Sequence, residues 1–96
     1  MKKAYRVRVP PELASVIVSL APERKRRLRM ALRYIEKQPL AGKQLQHELA
    51  GYYSYKAKPY RIVYRVEEHV VRVYAIGHRR EVYEVLAERL TSKSSR

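Results

Sequence analysis

Arg24, Lys25, Arg26, Arg27, Arg29 and Arg33 put six cations into ten residues, with a single acid, Glu23, beside them. Like charges so crowded repel one another, so the run suits a polyanion held by salt-sensitive contacts. The guanidinium of Arg61, which alternates with Ile62, can meet two phosphate oxygens at once. Lys56 and Lys58 lie two residues apart and share a strand face. His78 is the best proton carrier in the chain, because an unperturbed imidazole titrates near neutrality. Arg79 and Arg80 follow it at a predicted helix start, where the positive end of the helix dipole disfavours cations; an arginine there points to an anionic ligand. His47 and His69 are too isolated in type and spacing to bind metal.

Composition narrows the chemistry further. The 96 residues hold 22 Lys and Arg against 9 Asp and Glu, a net charge of +13. That imbalance calls for an anionic partner, nucleic acid first and an acidic protein second. Without cysteine there is no disulfide framework, thiolate zinc site or thiol nucleophile. With three glycines and no glycine-rich loop, a nucleotide-phosphate cradle is excluded. No apolar stretch approaches a membrane span, and no signal-peptide pattern follows Lys2 and Lys3, so a cytoplasmic protein is expected. Nine tyrosines stand without Phe or Trp; Tyr5, Tyr34 and Tyr64 are assigned to the core or its edge.

These residues need a scaffold, and the hydrophobic periodicity supplies one. Residues 4–9 alternate as a half-buried strand, ended by Pro10-Pro11. Leu13, Val16, Ile17 and Leu20 then mark one amphipathic helix. Leu28, Ala31, Leu32 and Ile35 mark a second, opened by Pro22 and stopped at Gln38-Pro39. Residues 40–51 read as a loop pinned by Leu45 and Leu49. Strands are predicted over 52–58, 60–66 and 69–76, with turns at Pro59 and Glu67-Glu68 and a break at Gly77. Val82, Val85, Leu86 and Leu90 have the spacing of a last helix beginning near Arg80 or Glu81, with 91–96 a frayed tail. The expectation is one compact α+β domain, β-α-α-β-β-β-α. Its curled, mainly antiparallel sheet carries the helical hairpin on one face, with the first strand on either edge.

The run Leu45-Gln-His-Glu-Leu-Ala-Gly51, then Tyr53, Lys56, Tyr60-Arg-Ile-Val-Tyr64 and Ile76-Gly-His-Arg-Arg-Glu-Val-Tyr83, resembles the RelE/ParE toxin superfamily. The likeness extends to the helical hairpin and so covers nearly the whole chain. It implies the toxin half of a toxin–antitoxin pair. RelE-like members cut mRNA in the ribosomal A site without a metal or cofactor and so stop translation. ParE-like members share the fold, lack the nuclease residues and poison DNA gyrase. A third reading, from composition alone, is a non-catalytic RNA- or ribosome-binding module.

The resemblance assigns roles residue by residue. Arg61 matches the arginine that contacts phosphate as its charge builds up, and Arg79 a second arginine that stabilises the transition state or assists the leaving group. His78 stands where RelE carries lysine and many relatives histidine, as a proton donor or acceptor. Tyr83 matches the tyrosine that stacks on a base, and Lys56 the second of two strand lysines near the attacking 2′-hydroxyl. Ser54 occupies the place of the first. A serine brings no positive charge, which shifts proton abstraction to Lys56 or His78, with Lys58 compensating in part. Lys58, Arg65, Arg80, Arg24 and Arg27 complete the expected RNA-binding set, and no metal site is expected. Lys56, Arg61, His78, Arg79 and Tyr83 are expected to converge at one end of a concave sheet. The expected partners are mRNA, the ribosome and an antitoxin with an acidic or amphipathic segment that wraps the toxin.

Overall fold

A computed structural model describes residues 4–78 and 81–94, the side chains of Val85 and of residues 89–94 apart. β1 (Arg6–Arg8) leads into α1 (Pro11–Val18) and α2 (Pro22–Lys37). Both helices carry proline in the first turn, where no intrahelical N–H is needed, and an acid, Glu12 or Glu23, beside it. β3 (Tyr52–Ala57), β4 (Tyr60–Glu67) and β5 (Val70–His78) follow, and then α3 (Glu81–Ser94), which runs on past Thr91. The segment 40–51 is more than a loop: it holds β2 (Lys43–Gln44) and a 3₁₀ turn (His47–Leu49).

The sheet order is β1-β5-β4-β3-β2. The pairings β2–β3, β3–β4 and β4–β5 are antiparallel, whereas β1 joins the β5 edge in parallel. Hairpin turns can join only antiparallel strands, so the distant β1 is the one free to pair in parallel. Gly77 does not end β5 as its sequence suggests. It pairs with Arg61, and His78 with Tyr60, so the strand continues to the end of the hairpin.

Two cores lie back to back. On one face Leu13, Ile17, Leu28, Ala31 and Ile35 of the helical hairpin pack on Tyr60, Ile62, Tyr64, Val71 and Val73. On the other, Val82 and Leu86 of α3 pack with Tyr52, Val63 and Ala75. A register shift beside Val63 and Tyr64 leaves Tyr74 as an extra residue in β5, so Tyr74 and its neighbour Ala75 both join the α3-side cluster. Glycine is required at Gly42, where an added Cβ would stand 2.6 Å from the Tyr64 hydroxyl. That hydroxyl donates to Pro39 O at 2.8 Å and accepts from Gly42 N–H at 3.0 Å, binding the post-helix loop to the sheet.

Candidate active site

Alternation decides which side chains meet. On β3, Tyr53, Tyr55 and Ala57 turn to the helical hairpin, which leaves Tyr52, Ser54 and Lys56 on the α3 face. On β4, Tyr60, Ile62 and Tyr64 face the hairpin and Arg61, Val63 and Arg65 face α3. Lys56 and Arg61 are direct cross-strand partners, so an ammonium and a guanidinium stand side by side on one surface. Like charges placed opposite one another destabilise a sheet, which a bound anion would reverse.

Ser54 joins the remaining parts. It is 3% exposed, and its Oγ accepts from Arg61 Nη1 at 3.4 Å and from the Tyr83 hydroxyl at 3.3 Å. Tyr83 reaches this point from the first turn of α3, where Val82 sits against the backbone of Gly77. Glu81 and Glu84 suit that helix start, since acids there complement the dipole. Beside this group a cleft of about 150 Å³ is lined by Lys56, Lys58, Pro59, Tyr60 and Arg61. The arrangement can seat a phosphate between Lys56 and Arg61 and present Tyr83 to a neighbouring base.

The five expected catalytic residues do not all meet here. Arg61 and Tyr83 meet at Ser54, and Lys56 stands opposite Arg61 on the same face. His78 is turned to the hairpin face, its ring 5.0 Å from that of Tyr60, because it pairs with Tyr60 rather than with Arg61. Arg24 approaches the same tyrosine, Nη1 lying 3.4 Å from its hydroxyl. Arg27 borders a separate groove of about 370 Å³ with Met30, Ala31, Tyr34, Tyr55, Lys56, Ala57 and Lys58. Arg65 lies farther down β4, its guanidinium 5.1 Å from the ring centre of Tyr52. Arg79 and Arg80 fall outside the described residues. Among the described residues no group of three His, Asp or Glu gathers as metal ligands, and no helix is long and apolar enough to cross a membrane.

Two members of this surface were not identified as such from sequence. Ser54 looks like a missing lysine but acts as the shared acceptor, and only its place on the buried face of β3 hints at it. Tyr60 stands in the strand motif with no role of its own, yet it lines the cleft while His78 and Arg24 flank it.

A five-stranded sheet with a helical hairpin on one face, α3 on the other and a basic cleft at the turn between β3 and β4 defines a small α+β domain. The chain belongs to the ParE toxin family of type II toxin–antitoxin systems, parDE, whose family model matches residues 5–83. Among solved structures it is similar to a RelBE toxin–antitoxin complex from Mycobacterium tuberculosis. Identity is 27% and the TM-score 0.71, covering 80% of this chain and 100% of that one. A mutant E. coli RelE toxin in the free state superposes with TM-score 0.73 at 22% identity, over 92% and 99% of the two chains. An archaeal RelE–RelB complex from Pyrococcus horikoshii gives 0.66 at 20%, over 81% and 98%. Comparison with curated protein sequences returns no significant match.

Proposed function

We propose that this toxin is a metal-independent endoribonuclease that cuts mRNA in the ribosomal A site. The observation that carries the reading is the convergence of Arg61 and Tyr83 on Ser54, with Lys56 directly across the strand from Arg61 beside an open basic cleft. In the proposed reaction the 2′-hydroxyl gives its proton to water as its oxygen attacks the adjacent phosphorus, and the 5′-oxygen takes a proton from water as it leaves, giving a 2′,3′-cyclic phosphate and a 5′-hydroxyl. Arg61 and Lys56 bind the phosphate and stabilise the charge that gathers on its oxygens. Lys56 is the group nearest the attacking hydroxyl, and Tyr83 holds a base by stacking. His78 faces the hairpin side beside Tyr60 and stands outside this transfer, and Arg79 follows it in sequence as a further cation.

The partner that restrains such a toxin is a cognate antitoxin. The groove beside Tyr34 and Tyr55 suits one: apolar side chains fit against Met30, Tyr34 and Tyr55, and carboxylates reach Arg27 and Lys58 on its rim. An acidic amphipathic segment has that pattern.

A second reading is inhibition of DNA gyrase without catalysis, favoured by the match to a parDE toxin family and by serine at position 54. Programmed ribosomes decide between them. Under the first reading 5′-end mapping finds A-site cuts with wild type that vanish with Arg61→Ala. Intact mRNA on ribosomes and free in solution, together with loss of gyrase supercoiling, would establish the second.

A further inference from the structure

Three arginines stand in one row across three neighbouring strands. Arg8 of β1 is the register partner of Arg72 in β5, and Arg72 is the partner of Arg65 in β4. Val7, Val71, Val73 and Tyr64 beside them turn to the helical hairpin, so all three arginines face the α3 side. Neighbouring Cβ atoms in such a row are about 5 Å apart, close enough for like charges to destabilise the sheet. Arg65 and Arg72 share one carboxylate, Glu67, at 3.9 and 2.9 Å from their Nε atoms. All three side chains of that group stay well exposed, at 42%, 52% and 40%. Arg6, two residues before Arg8 and on the same face, is exposed as well.

The row also borders a concavity. A cleft of about 310 Å³ is lined by Arg8, Val9, Pro10, Pro11, Arg72, Val73 and Tyr74. It therefore offers two guanidinium forks, an apolar wall of two prolines and an aromatic ring whose edge or face meets that of Tyr52. Phosphate oxygens match the forks, and an unstacked base matches the proline and tyrosine surface. An acidic peptide would satisfy the arginines but leave the flat apolar wall unused, and a duplex presents no free base to enter. The site is separate from the Ser54 group. Arg61 and Arg65 are four residues apart on one face of β4, about 13 Å. Val63 between them is buried in the α3 cluster.

We propose that Arg8, Arg72 and Tyr74, with Arg65 at the margin, form a second binding site for single-stranded RNA on this toxin. The ribosome and the message are two sources of such a strand. The inference shares with the proposed function only that the partner is RNA.

The test is fluorescence anisotropy of the full chain with a single-stranded 2′-O-methyl oligonucleotide, which has no free 2′-hydroxyl and cannot be cleaved. Arg8→Ala and Arg72→Ala are each expected to weaken binding about fivefold. Each should also flatten the log–log salt dependence by about 0.7, one phosphate contact on a single strand. Glu67→Gln releases two guanidinium groups and is expected to tighten binding, a gain that damage to the fold would not produce. Ultraviolet crosslinking is expected to mark Tyr74. Unchanged affinity and salt slope in the Arg8→Ala/Arg72→Ala double variant overturn the proposal, as does equal competition by poly-glutamate or by duplex RNA. Oligonucleotide binding that depends on Arg8 and Arg72 in a protein that cuts no mRNA sinks the nuclease and leaves this site standing. Cleavage by a protein whose binding ignores both arginines does the reverse. To assign the source, the double variant is compared for retention on empty ribosomes and on ribosomes programmed with message.

Discussion

The Tyr83 hydroxyl meets Ser54 Oγ at 3.3 Å, across the seam between α3 and β3. The same oxygen lies 3.4 Å from Arg61 Nη1, so one buried serine orients both the cation and the ring of the candidate site. A lysine in that place would add charge but would have to leave the seam to keep it solvated, since an isolated buried ammonium is costly. The departure from the family pattern therefore exchanges a charge for a fixed geometry.

Ser54→Ala removes the shared acceptor without changing the net charge. We expect A-site cleavage to fall roughly tenfold, about 1.4 kcal/mol of transition-state stabilisation. Tyr83→Phe should produce a similar loss, and the double variant little more than either alone, because both break one group. Single-turnover cleavage of ribosome-bound mRNA measures all three, and losses that simply add would show that Ser54 does not couple them.

Arg61 carries the heaviest load in the proposed chemistry, and its removal is expected to cost about 10²-fold in turnover. Arg61→Lys keeps the charge but loses the fork, so it should recover only part of that rate. Thermal unfolding of both variants belongs beside the kinetics. Arg61 is half-buried opposite a like-charged partner, so its removal relieves repulsion as it breaks the contact to Ser54, and Tm should change little.

The elements of the fold were largely legible because each has a clean period. Alternation marked β3, β4 and β5, and proline marked the starts of α1 and α2. What escaped was decided by distant pairing. Gly77 reads as a stop until Arg61 is found opposite it, and Lys43-Gln44 reads as loop until it pairs with Tyr53 and Ser54. The site followed the same rule. The resemblance placed Lys56 with Arg61, and the register of β3 on β4 makes them cross-strand partners. The face of His78, however, depends on β5 continuing through Gly77, and the family resemblance placed it with Arg61 instead of with Tyr60.

Glu68, in the short turn between β4 and β5, has φ of 56°, the left-handed region in which side chains other than glycine are strained. Glu68→Gly is expected to stabilise the protein by roughly 0.5–1 kcal/mol, offset in part by the greater freedom of glycine in the unfolded chain. For a chain of this size that is a rise of a few degrees in Tm. Differential scanning calorimetry checks the sign, which a lost side-chain contact at Glu68 would reverse.

Stability at alkaline pH should report on Tyr64. Burial raises its phenol pKa above the usual 10.0, with the Gly42 amide pulling weakly the other way. The folded state thus prefers the neutral phenol. Its contribution is fully present below pH 10 and is lost as the pH climbs through the raised folded value. Tyr74 shifts in the same direction through burial and the nearby Glu67 carboxylate, so the two act together. A chain at +13 also repels itself, so the wild-type curve alone mixes this effect with the self-repulsion of the whole chain. Comparison with Tyr64→Phe separates them. At neutral pH that variant leaves Gly42 N–H and Pro39 C=O without their partner and should cost about 1–3 kcal/mol. Between pH 9 and 11 its urea midpoint should fall less steeply than that of wild type, the gap narrowing as Tyr64 ionises. Parallel curves would mean that Tyr64 does not contribute to the alkaline loss.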